Sequence, residues 1–271
     1  MAIFTKKIIF LTVVILSTII LIIVHNITHQ KPVNKALATH STNTQVIKVV
    51  KPFIPNQQLD EQQRFLKTVA HRLTIVPQNN SFEYTLLKAY GAIFINQAAD
   101  IKLPTKVLFT DAQEIKAFQS TLTRAKVTGT SDCYLQKNAA DALNKARELV
   151  NIPLKSGYIG DCTRDFDMNF RFWRKYANNH TLEQVKQGKE TKILGTVAPP
   201  GTSQHLWGLA IDLRVSTSAQ RQTLNQHGWF QTVENDAPHW TYLGWTEENL
   251  AKFGLKNKVV NGITYWLTPL L

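Results

Sequence analysis

The order of apolar and polar residues divides the chain into unequal stretches. Residues 8–24 form an apolar run broken only by Thr12, Ser17 and Thr18. At ~1.5 Å per residue this run spans roughly 26 Å, close to the hydrocarbon thickness of a bilayer. Lys6 and Lys7 precede it and the bulk of the chain follows, which predicts an N-in, C-out orientation. Residues 1–27 are therefore expected to be a single-pass anchor in the inner or cytoplasmic membrane, or else a signal segment that is cleaved. Ala36-Leu37-Ala38 has the small residues of a cleavage site but lies well beyond the apolar run. Either way the remainder is expected in the periplasm or outside the cell. Residues 28–60 are polar, with scattered Pro and no sustained period, and read as a linker. The spacing of His25, His29 and His40 fits no compact metal site.

From residue 61 the period becomes helical. Phe65, Val69 and Leu73 predict a helix over 61–75, and Leu86, Leu87, Tyr90, Ile93 and Phe94 one over 82–97. Residues 106–109 read as a short strand. Asp111, with Glu114 three residues on, caps a helix running to 122. Residues 61–127 carry no recognisable chemistry and are expected to pack as a helical region on a catalytic domain over 128–271. There, Ala139, Leu143, Ala146 and Leu149 face inward on a helix over 138–150. A strand is expected over 154–159, and a helix over 165–176 with Phe166, Phe170 and Trp173 on one core face. A short helix over 181–187 would be capped by Thr181. Beyond it come a helix over 217–227, a strand pair at 229–233 and 239–243, and a helix over 246–253. Asn261-Gly262 centres a hairpin over 259–267. Strands and helices do not alternate as regular βαβ units. The expected fold class is α+β, a small central antiparallel sheet with flanking helices.

The 271 residues suffice for a sizeable core. The formal net charge is +12, but the basic residues are dispersed. That favours anionic surroundings such as wall polymers and membrane phosphates, and no nucleic-acid-binding motif is present. Cys133 and Cys162 are the only cysteines. An exported location permits a disulfide between them at the edge of the cleft; the alternative is two buried thiols.

The densest chemistry lies in Ser203-Gln204-His205-Leu206-Trp207-Gly208-Leu209-Ala210-Ile211-Asp212. His205 and Asp212 flank a short apolar run of strand character. Seven positions apart, they would point to opposite faces of a straight strand. His205 must therefore sit in a loop, or the strand must bulge, and Gly208 is where either would happen. The preceding Pro199-Pro200-Gly201 predicts a rigid turn. Downstream, Glu234-Asn235-Asp236-Ala237-Pro238-His239-Trp240 offers a second imidazole and two carboxylates. His205, Asp212 and His239 would bind one Zn2+ with an open position, the arrangement of a catalytic site. Asp236 or Glu234 could serve as general base to the activated water.

Ser-x-His-x-x-Gly-x-Ala-x-Asp followed by acid-x-x-His-Trp resembles the VanY-type D-alanyl-D-alanine carboxypeptidases, LAS-type zinc peptidases that cut peptidoglycan stem peptides. The resemblance covers roughly residues 130–245. It implies His205, Asp212 and His239 as zinc ligands, Asp236 as base, and a small antiparallel sheet with helices on one side. Ser156-Gly157-Tyr158 also matches, but Ile159 stands where the family usually has its carboxylate-binding arginine. Arg164, five positions on, is the candidate for that role, with a purely structural arginine as the alternative. Ser203, Tyr158 and Trp240 are further candidates for substrate contact. The implied activity is a D-alanyl-D-alanine carboxypeptidase on peptidoglycan peptides. The alternatives are an endopeptidase or a non-catalytic wall-binding protein on the same fold.

Overall fold

Side chains at the N-termini of the helices set where each begins. The structure, a computed structural model, describes residues 52–271. The apolar run over 8–24 and most of the linker lie outside the described residues. Asp60 caps α1 (Glu61–Ala70) and Ser81 caps α2 (Phe82–Tyr90), each accepting a backbone N–H three residues on. α2 gives way to a 3-10 turn over Gly91–Ile95 rather than continuing as one long helix. Asp111 caps α3 (Ala112–Ser120) through Gln113 and Glu114. Glu114 reaches back to the amide of Thr110, one residue before the cap.

Residues 106–109 are not a strand. Phe109 donates to Gly201 O at 2.9 Å, but no ladder follows. A pair that hydrophobic periodicity does not mark appears instead: β1 (Arg124–Lys126) antiparallel to β2 (Tyr134–Gln136). α4 (Lys137–Leu149) buries Ala139, Leu143 and Ala146, but Leu149, in its last turn, is 70% exposed. The expected strand over 154–159 reduces to one bridge, Leu154 to Leu213. After it the Asp161 carboxylate gathers the amides of Ser156 and Gly157 and the Ser156 hydroxyl at 2.7–2.9 Å, closing the segment into a loop. Those amides are then no longer free for a ladder.

Asp165 caps α5 (Phe166–Tyr176). Trp173 is buried, while Phe170 lies on the exposed side, so the expected aromatic row only partly enters the core. α6 (Asn179–Lys186) is capped by Asn178 instead of Thr181, whose amide is the donor to the cap.

The central sheet has three short antiparallel strands in the order β3 (Ala210–Asp212), β5 (His239–Tyr242), β4 (Trp229–Phe230). α7 (Ser218–Gln226) lies between β3 and β4 in sequence and starts with a capping box of Thr217 and Gln220. α8 (Glu247–Leu250) runs into a 3-10 turn, then β6 (Lys256–Val260) and β7 (Ile263–Leu267) form the expected hairpin. Its Asn261 and Gly262 have φ of 51° and 76°, the positive values a type I′ turn requires. Trp266 N donates to Gln231 O at 2.8 Å and ties the hairpin to the chain beyond β4. Phe65, Val69 and Leu87 from the front helices share one hydrophobic core with Trp207, Ile211 and Trp240. The architecture is α+β, with small antiparallel sheets and helices around them. No helix among the described residues is long and apolar enough to cross a membrane.

Candidate metal centre

The β3–β5 register creates the site. Asp212 pairs with His239 and Ala210 with Thr241, so alternation puts Asp212, His239 and Thr241 on one face. His205 reaches the same place from a 3-10 turn over Gln204–Trp207, which ends at Gly208 with φ 66°. That left-handed residue resolves the odd spacing of His205 and Asp212. A side chain at Gly208 would be strained and would crowd Gln136 N and Thr163 Oγ1, both 3.2 Å from a Cβ there. The preceding turn is clamped by buried Asn169, which donates to Ala198 O at 3.1 Å and accepts from Gly201 N at 2.9 Å.

His205 Nε2, His239 Nδ1 and Asp212 Oδ1 converge. The two nitrogens are 3.2 Å apart, and the oxygen is 3.4 Å from the first and 3.7 Å from the second. Tetrahedral zinc with bonds of ~2.0–2.1 Å places neighbouring ligand atoms about 3.3–3.4 Å apart, so the triangle has the size of one face of such a site.

The hydrogen-bond network assigns the tautomers. His205 Nδ1 lies 2.8 Å from Cys162 O, an acceptor, so Nδ1 carries the proton. His239 Nε2 lies 2.8 Å from Gln204 Oε1. The Gln204 amide is oriented by donation from its Nε2 to Tyr90 O at 2.7 Å, and Thr241 Oγ1 donates to the same Oε1 at 2.6 Å. His239 Nε2 is thus also a donor. Both inward nitrogens present lone pairs to each other and to a carboxylate oxygen, an arrangement that calls for a cation among them. The donor set of two imidazoles and a carboxylate fits zinc.

Arg164 holds the other oxygen of Asp212, with Nη2 2.6 Å from Oδ2. Its Nε donates to Gly160 O at 2.6 Å, and its guanidinium lies 4.5 Å from the centre of the Phe172 ring. Burial would raise the Asp212 carboxyl, but the two imidazoles whenever they carry a proton on the inward nitrogen, and Arg164 always, outweigh it and hold Asp212 well below the usual carboxylate range. Burial, helped by the charge of Arg164, pushes His205 down to about 4, so it is neutral and ready to ligate at neutral pH.

A cleft opens over the triangle, lined by Tyr90, Lys155, Arg164, Phe172, Ser203 and Asp236 among others. The chain turns before Pro238. Asp236 N donates to Val233 O, His239 N to Asp236 O, and Asn235 has φ 68°. The turn brings the Asp236 carboxyl to the cleft wall. Burial, with the charge of Asp212 added, pushes Asp236 up to about 6, against the pull of His239, Lys155 and Arg164. Glu234 points elsewhere and pairs with Lys258 at 2.6 Å.

Two of the expected contact residues are not in the cleft. Tyr158 is 53% exposed on the loop outside it. Trp240 is 1% exposed, because strand alternation turns it away from His239 into the core. Ser203 does line the cleft. Cys133 and Cys162 are joined by a disulfide. This bond anchors the residue whose carbonyl orients His205.

Sequence reasoning missed the supporting residues. Gln204 lies inside the motif at a position the motif leaves open, and Tyr90 and Gln119 lie in the front region. Gln119 Nε2 donates to both Arg164 O and Leu206 O at 2.8 Å, tying the arginine segment to the histidine turn. No signal in the sequence marks these two, because their roles depend on contacts across 45 to 114 positions.

Residues 132–264 match the family model VanY, D-alanyl-D-alanine carboxypeptidase. The matched segment contains His205, Asp212, Asp236 and His239. Among solved structures, the chain is similar to the vancomycin resistance D,D-dipeptidase VanXYg, solved in complex with a D-Ala-D-Ala phosphinate analogue. That identity is 14% and the TM-score 0.34, over 52% of this chain and 70% of that one. It is also similar to the LdcB LD-carboxypeptidase, at 20% identity and TM-score 0.30, over 47% of this chain and 69% of that one. No curated protein matches the chain.

Proposed function

We propose, from the VanY-type domain at residues 132–264, that the protein is a zinc-dependent peptidase that trims peptidoglycan stem peptides, most simply as a D-alanyl-D-alanine carboxypeptidase. The observation that carries this reading is the convergence of His205 Nε2, His239 Nδ1 and Asp212 Oδ1 with both imidazole lone pairs turned inward. These three residues would hold the metal. When bound, zinc supplies Lewis acidity, activating water and polarising a peptide carbonyl.

The chain's own groups do the rest. Cys162 O and Gln204 Oε1 keep the imidazoles in the ligating tautomer. Arg164 keeps Asp212 charged and aimed. Asp236, lifted to about 6, is placed to take a proton from water at its carboxylate and then deliver it to the departing amine. Ser203 on the cleft wall is placed to hydrogen-bond substrate. The disulfide agrees with an exported location, and the expected membrane anchor would keep the domain beside the wall.

Incubating the full chain with purified wall peptides, with and without chelator, tests the reading by mass spectrometry of the products. Loss of a terminal D-alanine, abolished by chelator and restored by zinc, supports it. Internal cleavage would indicate an endopeptidase, and binding without cleavage a wall-binding protein.

A further inference from the structure

A carboxypeptidase must recognise a terminal carboxylate one residue, ~3.8 Å, beyond the bond it cuts. The recognising cation must therefore line the same cleft as the ligand triangle. Among the described residues two cationic side chains do so, Arg164 and Lys155. Arg164 is committed to Asp212 Oδ2 and to Gly160 O, and is stacked on Phe172. Turning it to a substrate would leave Asp212 Oδ2 without its partner.

Lys155 is differently placed. Its residue is exposed and, among the described residues, its ammonium enters no salt bridge. Its backbone is held firmly: the amide donates to Asp212 O at 3.0 Å, and the carbonyl accepts from Arg214 Nη2 at 2.6 Å. The next two residues are fixed by the buried Asp161 carboxylate. The loop that replaces the expected strand thus sets an uncommitted ammonium on a rigid base at the edge of the cleft.

We infer that Lys155 is the specificity residue that pairs with the free C-terminal carboxylate of a peptide substrate. This rests on the peptidase reading above and assigns to Lys155 the recognition of the free acid that such a substrate carries. A lysine can serve because a single carboxylate oxygen within reach of a mobile ammonium suffices for a charge-assisted hydrogen bond.

The test compares two peptides of one sequence ending in D-Ala-D-Ala, one as the free acid and one as the carboxamide. The zinc-loaded wild type and Lys155→Gln are assayed on both, with zinc content measured in each. Wild type is expected to prefer the acid, and Lys155→Gln to lose about 10- to 100-fold in kcat/KM on the acid alone, mainly through KM. Lys155→Arg should recover most of the loss. Calorimetric binding of the two peptides to Asp236→Asn, with and without Lys155→Gln, should show the same contrast without turnover. Equal cleavage of acid and amide by the wild type, or an equal loss on both in Lys155→Gln, overturns the role of Lys155 and leaves the peptidase reading standing. If the wild type cleaves neither peptide, the peptidase reading itself fails, and this inference falls with it.

Discussion

Replacing Asp236 by Asn should raise stability while removing activity. The Asp236 carboxyl is pushed from its ordinary 3.8 up to about 6, chiefly by burial. Its folded value therefore lies above its unfolded value. The folded protein binds that proton more tightly, and stability from this group declines as pH rises from about 4 to about 6. At ~1.36 kcal/mol per unit the full cost is about 3 kcal/mol above pH 6, reduced to about 2 because the side chain is partly open to solvent. Asn carries no charge and avoids the cost. Metal-free Asp236→Asn should then be about 2 kcal/mol more stable than wild type at pH 7 and within about 0.5 kcal/mol of it at pH 4. His205, whose pKa is lowered, gives the opposite slope, but it is common to both proteins and cancels in the comparison. Loading with zinc should shrink the gain, since a nearby dication favours the charged carboxylate. Urea unfolding with chelator at both pH values measures the difference, and kcat on a stem peptide should fall by about 10²–10⁴. A variant no more stable than wild type at pH 7, or one that keeps full kcat, refutes the placement of Asp236.

Other outcomes follow from the same geometry. His205→Ala should abolish stoichiometric zinc in the purified protein, read by metal analysis after dialysis. Gln204→Leu removes the acceptor that orients His239, so zinc affinity should drop about 10- to 100-fold with the fold retained, as read by competition with a chelating dye. Arg164→Met leaves the buried Asp212 without its ion-pair partner and should cost about 3–5 kcal/mol in denaturant unfolding. Thiol labelling of the denatured, unreduced protein should find no free cysteine. Reduction should cost roughly 3–4 kcal/mol for a loop of 29 residues' separation.

What could be read from the sequence was what depends on near neighbours. Asp111 caps its helix because the amides it binds lie two and three residues away. Asn261-Gly262 makes its hairpin from its own backbone preferences. The grouping of His205, Asp212 and His239 was legible because His205, Gly208 and Asp212 sit within one turn and one strand, and a turn through Asn235 delivers His239. The failures share the opposite cause. Residues 154–159 have strand composition, but the carboxylate of Asp161 claims the amides a ladder would need. Thr181 looked like a cap, but Asn178 reaches its amide first. Trp240 follows His239 in sequence and therefore faces away from it on the strand. Tyr90, whose own carbonyl accepts from Gln204, and Gln119, which donates to the carbonyls of Arg164 and Leu206, act from a region without any motif.

The central claim is that His205, Asp212 and His239 bind one zinc ion through named atoms. A crystal of the zinc-loaded protein, measured on either side of the zinc absorption edge, tests this most directly. The account predicts one anomalous peak per chain, within ~2.0–2.2 Å of His205 Nε2, His239 Nδ1 and an Asp212 oxygen. A peak bound through His239 Nε2, a peak elsewhere, or no peak after saturation with zinc would contradict it.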